Sequence, residues 1–153
     1  MNRNSTQVGA LIFFLFYFGV TGCTNTQVDS ETAIREILDK QVAEWNGGDI
    51  PAFMDTYVKT DELRFSSGGN VQRGYEETFN RYLTRYPNPD SMGHLLFEDL
   101  EVKLLSEEWA QVHGRYRLKR GGDYENATGL FTLLLQQKPE GWKILHDHTS
   151  AGD

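Results

Sequence analysis

From Ser30 to Tyr86 the apolar residues of the chain recur every three or four positions, and from His94 to Ser150 they recur every two. The first period belongs to helices with one buried stripe, the second to half-buried strands. Ser30 is placed to cap a helix with apolar positions Ile34, Leu38, Val42 and Trp45. Glu31 stands at its positive end and Gly47-Gly48 at its stop. Asp49 is placed to cap a second, short helix, with Pro51 in its first turn and Ile50, Phe53, Met54 and Tyr57 on one face. Residues 63–67 and 71–73 read as two short strands around Gly68-Gly69-Asn70. A third helix follows Gly74, carries Tyr75, Phe79, Tyr82 and Tyr86 on one side, and is ended by Pro87 and Pro89.

The second half predicts four strands with short turns, and the pattern sets a register, because a slip of one residue sends every side chain to the wrong face. A loop at 106–108 places Leu104 opposite Ala110, Val102 opposite Val112, Leu100 opposite Gly114 and Leu96 opposite Leu118. The other face then pairs Lys103 with Gln111, Glu101 with His113 and Asp99 with Arg115. A turn at 138–141 sets Leu135 across from Ile144, Leu133 from His146 and Phe131 from His148, with Gln136 opposite Lys143 outside. The expected architecture is α+β in two layers. Three N-terminal helices cover the greasy face of a mainly antiparallel sheet, made of a short hairpin and a four-stranded meander.

Ahead of this domain, the uncharged run from Val8 to Val20 follows Arg3 and is shorter than the roughly 20 residues a membrane-spanning helix needs. It has the form of a secretory signal. The only cysteine, Cys23, ends the setting Val20-Thr21-Gly22-Cys23. That setting resembles the bacterial lipobox, which implies cleavage before Cys23 and acylation of its sulfur and new amino terminus. The expected division is a leader over 1–22, a lipidated Cys23 with a polar tether over 23–29, and one domain over 30–153. Several acyl chains, each contributing roughly 0.8 kcal/mol per buried methylene, hold such a protein to the cell envelope. Thr24 rather than Asp after the Cys implies the outer membrane over the inner one. With a net charge of −7 and no basic cluster, the chain has no electrostatic footprint for nucleic acid. A single cysteine leaves no disulfide within the chain, so the core holds without staples.

Taken in order, Trp45, Gly48-Asp49, Phe53-Met54, Tyr57, Phe65, Gly74, Gly114-Arg115-Tyr116, Phe131-Thr132-Leu133 and the closing run from Trp142 to Ser150 resemble the nuclear transport factor 2-like superfamily. Within it they are most similar to the SnoaL-like branch and to the association domain of calmodulin-dependent kinase II. The resemblance implies a cone: a strongly curved sheet wrapped on a long helix, enclosing a cavity and pairing with a second copy through the sheet. One fold carries many chemistries, so the activity has to come from the site.

His146 and His148, two apart on the last strand, share a face, and the register turns both inward as candidates for proton transfer or ligand binding. Core histidines bonded to backbone are the alternative. His-x-His supplies two ligands of a catalytic zinc, but the third has to come from Glu98 or His94, and no metal or cofactor is assigned. Glu98 is the one acid expected on the inner face of the meander, opposite Tyr116, and so a candidate acid or base. A bulge that rotates it outward is the competing reading. Tyr57, Tyr82 and Tyr116 are expected to line the cavity with the two histidines. Three functions are carried forward. The first is a lipid-anchored binding module for a small organic ligand. The second is a proton-transfer enzyme of isomerase, dehydratase or cyclase type. The third is a homodimeric scaffold whose outer face, with His113, Arg115, Asp99 and Glu101, meets its copy.

Overall fold

The computed structural model of the chain describes residues 23–152. The leader over 1–22 lies outside the described residues. Helix α1 runs Cys23–Asn46 and buries Ile34, Leu38, Gln41 and Trp45. The helix therefore starts well before the expected cap at Ser30, and the stretch read as a tether is its first part. A capping residue favours a start, but no Pro or Gly between Cys23 and Ser30 forces one. At its other end Gly48 takes φ 79°, and the Asp49 N–H donates to the Glu44 carbonyl at 2.9 Å. Asn46 then ties the helix end to the Leu95 backbone through two hydrogen bonds of 2.7 and 3.1 Å.

Helix α2, Ile50–Met54, is capped as expected, the Ala52 N–H donating to Asp49 Oδ1 at 2.8 Å. Strands β1, Arg64–Ser67, and β2, Asn70–Arg73, form the short hairpin, and helix α3, Tyr75–Arg85, follows Gly74. Pro89 opens a further one-turn helix, α4, Pro89–Met92, closed by a reciprocal cap between Asn88 and Ser91. The sequence reading carries no helix here; Asn88 three residues before Ser91 is the capping pattern behind it. The meander is β3, His94–Leu104; β4, Trp109–Lys119; β5, Ala127–Lys138; and β6, Gly141–Ala151. All six strands join one curved, open sheet in the order β2-β1-β6-β5-β4-β3, with β1 parallel to β6 and every other pair antiparallel.

The expected register holds near both hairpin turns and fails beyond two bulges. On β3, Leu104 pairs with Ala110, Val102 with Val112 and Glu101 with His113, and the register then shifts between Glu98 and Glu101. Asp99 sits there at φ 54°, the one non-glycine with positive φ among the described residues. Gly114, left opposite the bulge, has the Leu100 and Phe131 side chains within 2.8 and 2.6 Å of where a Cβ would stand, so its bare backbone makes room for them. Beyond the bulge Leu95, not Leu96, faces Leu118. Leu95 is 5% exposed, whereas Leu96 is 36% exposed.

On β6 the register holds from Lys138 through Leu135, opposite Ile144, and then shifts so that Leu134 faces His146 and Leu145 has no partner on β5. The bulge falls where β6 changes neighbour. Before it, Ile144 is held by the segment after α2, through Val58 N–H to Ile144 O and Ile144 N–H to Thr56 O, both 2.9 Å. After it, β1 pairs with β6 from His146 onward.

Candidate functional site

The β6 bulge decides what the last strand presents to the interior. Leu133 pairs with Asp147 and Phe131 with Thr149, where a regular strand would have set the two histidines. Asp147 is 5% exposed and points inward, while His146 and His148 are turned out and exposed. This corrects the expectation that the imidazoles line the cavity. The β3 bulge does the reverse for Glu98. It lies across from Arg115, not Tyr116, and its carboxylate is ion-paired on the outer face with Arg117 Nε at 2.6 Å. Glu98 is therefore not an interior acid. The bulge reading of this residue is the one realised, and Phe97 takes the inward place, 4.9 Å from the Phe131 ring centre.

Asp147 is built into a small polar group. The Tyr57 hydroxyl donates to Oδ2 at 2.8 Å, and Thr149 Oγ1, two residues along the same face, donates to Oδ1 at 3.0 Å. Tyr57 is fixed by the short segment bonded to Ile144, so one backbone contact positions both members of the pair. Burial pushes the Asp147 carboxyl up to about 6. The bonds from Tyr57 and Thr149 hold it lower than burial alone would, as do the nearby charges of His148 and Arg81. Tyr57 and Tyr82 are both fully buried and both pushed well above the usual phenol range, first by burial and then by the Asp147 charge. Near neutral pH the site therefore holds a carboxylate that takes up a proton readily and two phenols that keep theirs.

This group lies in the wall of a cavity of about 960 Å³ between the helices and the sheet. Tyr57, Tyr82 and Tyr116 all line it, as expected, Tyr116 being half-buried. Eight aromatic side chains stand in its wall. Trp45 packs edge-on against Phe53 and Tyr86 with ring centres 5.2 and 4.7 Å apart, and Phe53 lies 5.3 Å from Tyr82. Gln41 adds a polar point; its Nε2 donates to Thr56 Oγ1 at 2.9 Å, and the residue is 1% exposed. Gln41 sits three residues after Leu38 and four before Trp45, on the apolar stripe of α1. That spacing was a readable sign of an interior polar role. Asp147 gave no such sign, because in His146-Asp147-His148 alternation alone allows either the acid or the two bases to point in. Among the described residues no group of three or more His, Cys, Asp or Glu is gathered so as to hold a metal.

Helices packed on one face of a curved, open six-stranded sheet, with a cavity between the two layers, define a cone-shaped α+β fold. Solved structures share this fold. An NTF-2 like protein of unknown function from Shewanella oneidensis is 37% identical, with a TM-score of 0.73 over 78% of this chain and 98% of its own. The chain belongs to the nuclear transport factor 2-like family. The fold is shared with a ketosteroid isomerase-like protein from Erwinia carotovora at 24% identity, with a TM-score of 0.65 over 80% of this chain and 95% of that one. It is shared also with an NTF2-like protein of unknown function from Pseudomonas putida at 18% identity, with a TM-score of 0.68 over 82% and 88%. No protein-family model matches the chain, and no curated protein does.

Proposed function

We propose that the cavity binds a small, mainly apolar organic molecule and that Asp147 exchanges a proton with it, in a reaction of isomerase or dehydratase type. The observation that carries this reading is the one buried carboxyl among the described residues, poised at about 6, bonded by Tyr57 and set in the wall of a cavity rich in aromatic side chains. A general acid or base works best when its pKa lies near the working pH, and it has to touch the ligand. Asp147 lines the cavity. As a carboxylate it removes a proton from carbon next to a carbonyl. As the acid it returns the proton at a neighbouring position, while the unionised phenol of Tyr82 donates to the developing oxyanion and that of Tyr57 stays on Asp147. The ketosteroid isomerase-like name of the Erwinia protein agrees with this chemistry.

The test is deuterium uptake. A panel of small cyclic and aromatic ketones is incubated with the protein in D2O and followed by NMR. Exchange at the carbon beside the carbonyl, lost in Asp147→Asn, supports proton transfer. Saturable binding with no exchange for any ketone leaves a binding module instead. One observation favours that second reading: both Asp147 oxygens already accept a hydrogen bond within the protein.

Two further parts of the proposal rest on the sequence and on the outer face. Acylation of Cys23, with anchoring at the cell envelope, is supported by the apolar run ahead of it. It predicts palmitate label in the expressed protein that Cys23→Ser abolishes. Pairing of two copies through the outer face is supported by its mixed charges, Glu98, Asp99 and Glu101 beside Arg115 and Arg117. It predicts a dimer in analytical ultracentrifugation, and a monomer at all concentrations would remove it.

A further inference from the structure

The cavity has an unequal distribution of charge. Its floor carries the Asp147 carboxyl, but three arginines, Arg81, Arg85 and Arg120, also line it. None of the three is in an ion pair among the described residues, in a chain of net charge −7. Two of them are held by aromatic faces instead of by carboxylates. The Arg81 guanidinium lies 4.7 Å from the Phe65 ring centre and that of Arg120 lies 5.8 Å from Tyr86. Stacking fixes the plane of a guanidinium while leaving its N–H donors free at the edge. The Arg120 Nη1 also donates to the Glu125 carbonyl at 3.5 Å, and its Nε is buried without a partner. The only acid of the rim, Glu77, is already engaged by the Arg73 backbone N–H at 3.0 Å.

We propose that the molecule taken up by the cavity is an apolar carboxylic acid, its carboxylate held by Arg81, Arg85 and Arg120 at the rim and its hydrocarbon body against the aromatic wall. This rests on the reading of the cavity as a small-molecule site and names the class of molecule. Guanidinium groups match a carboxylate through paired N–H donors, and such charge-assisted bonds are roughly twice as strong as neutral ones. A phosphate would suit the arginines equally, but its second charge is disfavoured by Glu77 at the rim and Asp147 within. A monoanion whose reacting carbon reaches Asp147 satisfies both ends.

The experiment compares 1-naphthaleneacetate with 1-naphthaleneacetamide, nearly equal in shape and differing in charge, by isothermal titration of the purified protein. The expected result is a carboxylate that binds about 10-fold tighter than the amide at low salt, an advantage that shrinks as salt is raised. In the triple variant Arg81→Gln, Arg85→Gln, Arg120→Gln that advantage disappears while the amide affinity stays. Arg85 is exposed, so Arg85→Gln alone folds normally and is expected to lose part of the advantage. Equal binding of both probes by the unaltered protein, or an advantage that survives in the triple variant, overturns the carboxylate assignment and leaves the cavity reading standing. Binding of neither probe overturns both.

Discussion

Two acids stand beside two bulges in the same sheet, and the bulges send them in opposite directions. Glu98, next to the irregularity at Asp99 on β3, is turned out and paired with Arg117 in solvent. Asp147, two residues beyond the unpaired Leu145 on β6, is turned in and sealed at 5% exposure. The first arrangement is worth little, since exposed ion pairs contribute about 0.2–1 kcal/mol. The second works against the fold. A carboxyl raised from 3.8 to about 6 costs about 3 kcal/mol when ionised. An interior acid kept at such expense, and given a phenol to bond it, is what a working site looks like, whereas the outer acid is an ordinary surface group.

The contrast can be broken most severely at Asp147. For any ligand whose protons exchange in the cavity, Asp147→Asn lowers the exchange rate by roughly 10²–10⁴-fold, and Glu98→Gln leaves it unchanged. Stability should move the other way. The raised pKa means that the native state holds a proton between pH 3.8 and about 6 that the unfolded chain has released, so stability falls as pH rises through that window. Asp147→Asn removes this dependence. Urea unfolding should find the variant more stable than the parent by about 3 kcal/mol at pH 8, with the two converging near pH 4.

Tyr57→Phe is expected to cost about 1–3 kcal/mol at pH 8, where the carboxylate loses one of its two donors. It also moves the Asp147 carboxyl further above 6, visible as a shifted titration in carboxyl ¹³C NMR. Glu98→Gln should change stability by less than about 1 kcal/mol. The smallest effect belongs to the paired His146→Ala, His148→Ala change. Both side chains face out, so it should alter stability by roughly 0.5 kcal/mol or less and leave affinity for the naphthalene probes as it was. A large loss there would mean that the strand presents its imidazoles inward after all.

Nearly all of the architecture is legible in the sequence, and most of the site is not. The change of period at His94, the cap at Asp49, the glycine pair closing the first helix and the registers next to each turn were all signalled by local chemistry and came out as expected. A bulge is invisible to period-two reasoning, because it adds one residue without altering the composition on either side. Leu95, Leu96 and Phe97 in succession supply an apolar residue to the core in either register. In His146-Asp147-His148 a carboxylate is harder to bury than an imidazole, so physical expectation favoured the wrong neighbour. Arg120, at the polar end of β4, is half-buried at the cavity, and nothing local signals this because its stacking partner Tyr86 comes from a distant part of the chain.

Leu145 makes the chemistry of this pocket a matter of spacing. If the irregularity moved a few positions toward the C-terminus, past Thr149, the same eleven-residue strand would present two bases and hide the acid, with no change in its letters. One reagent is thus traded for another by relocating the bulge, with no reacting residue replaced.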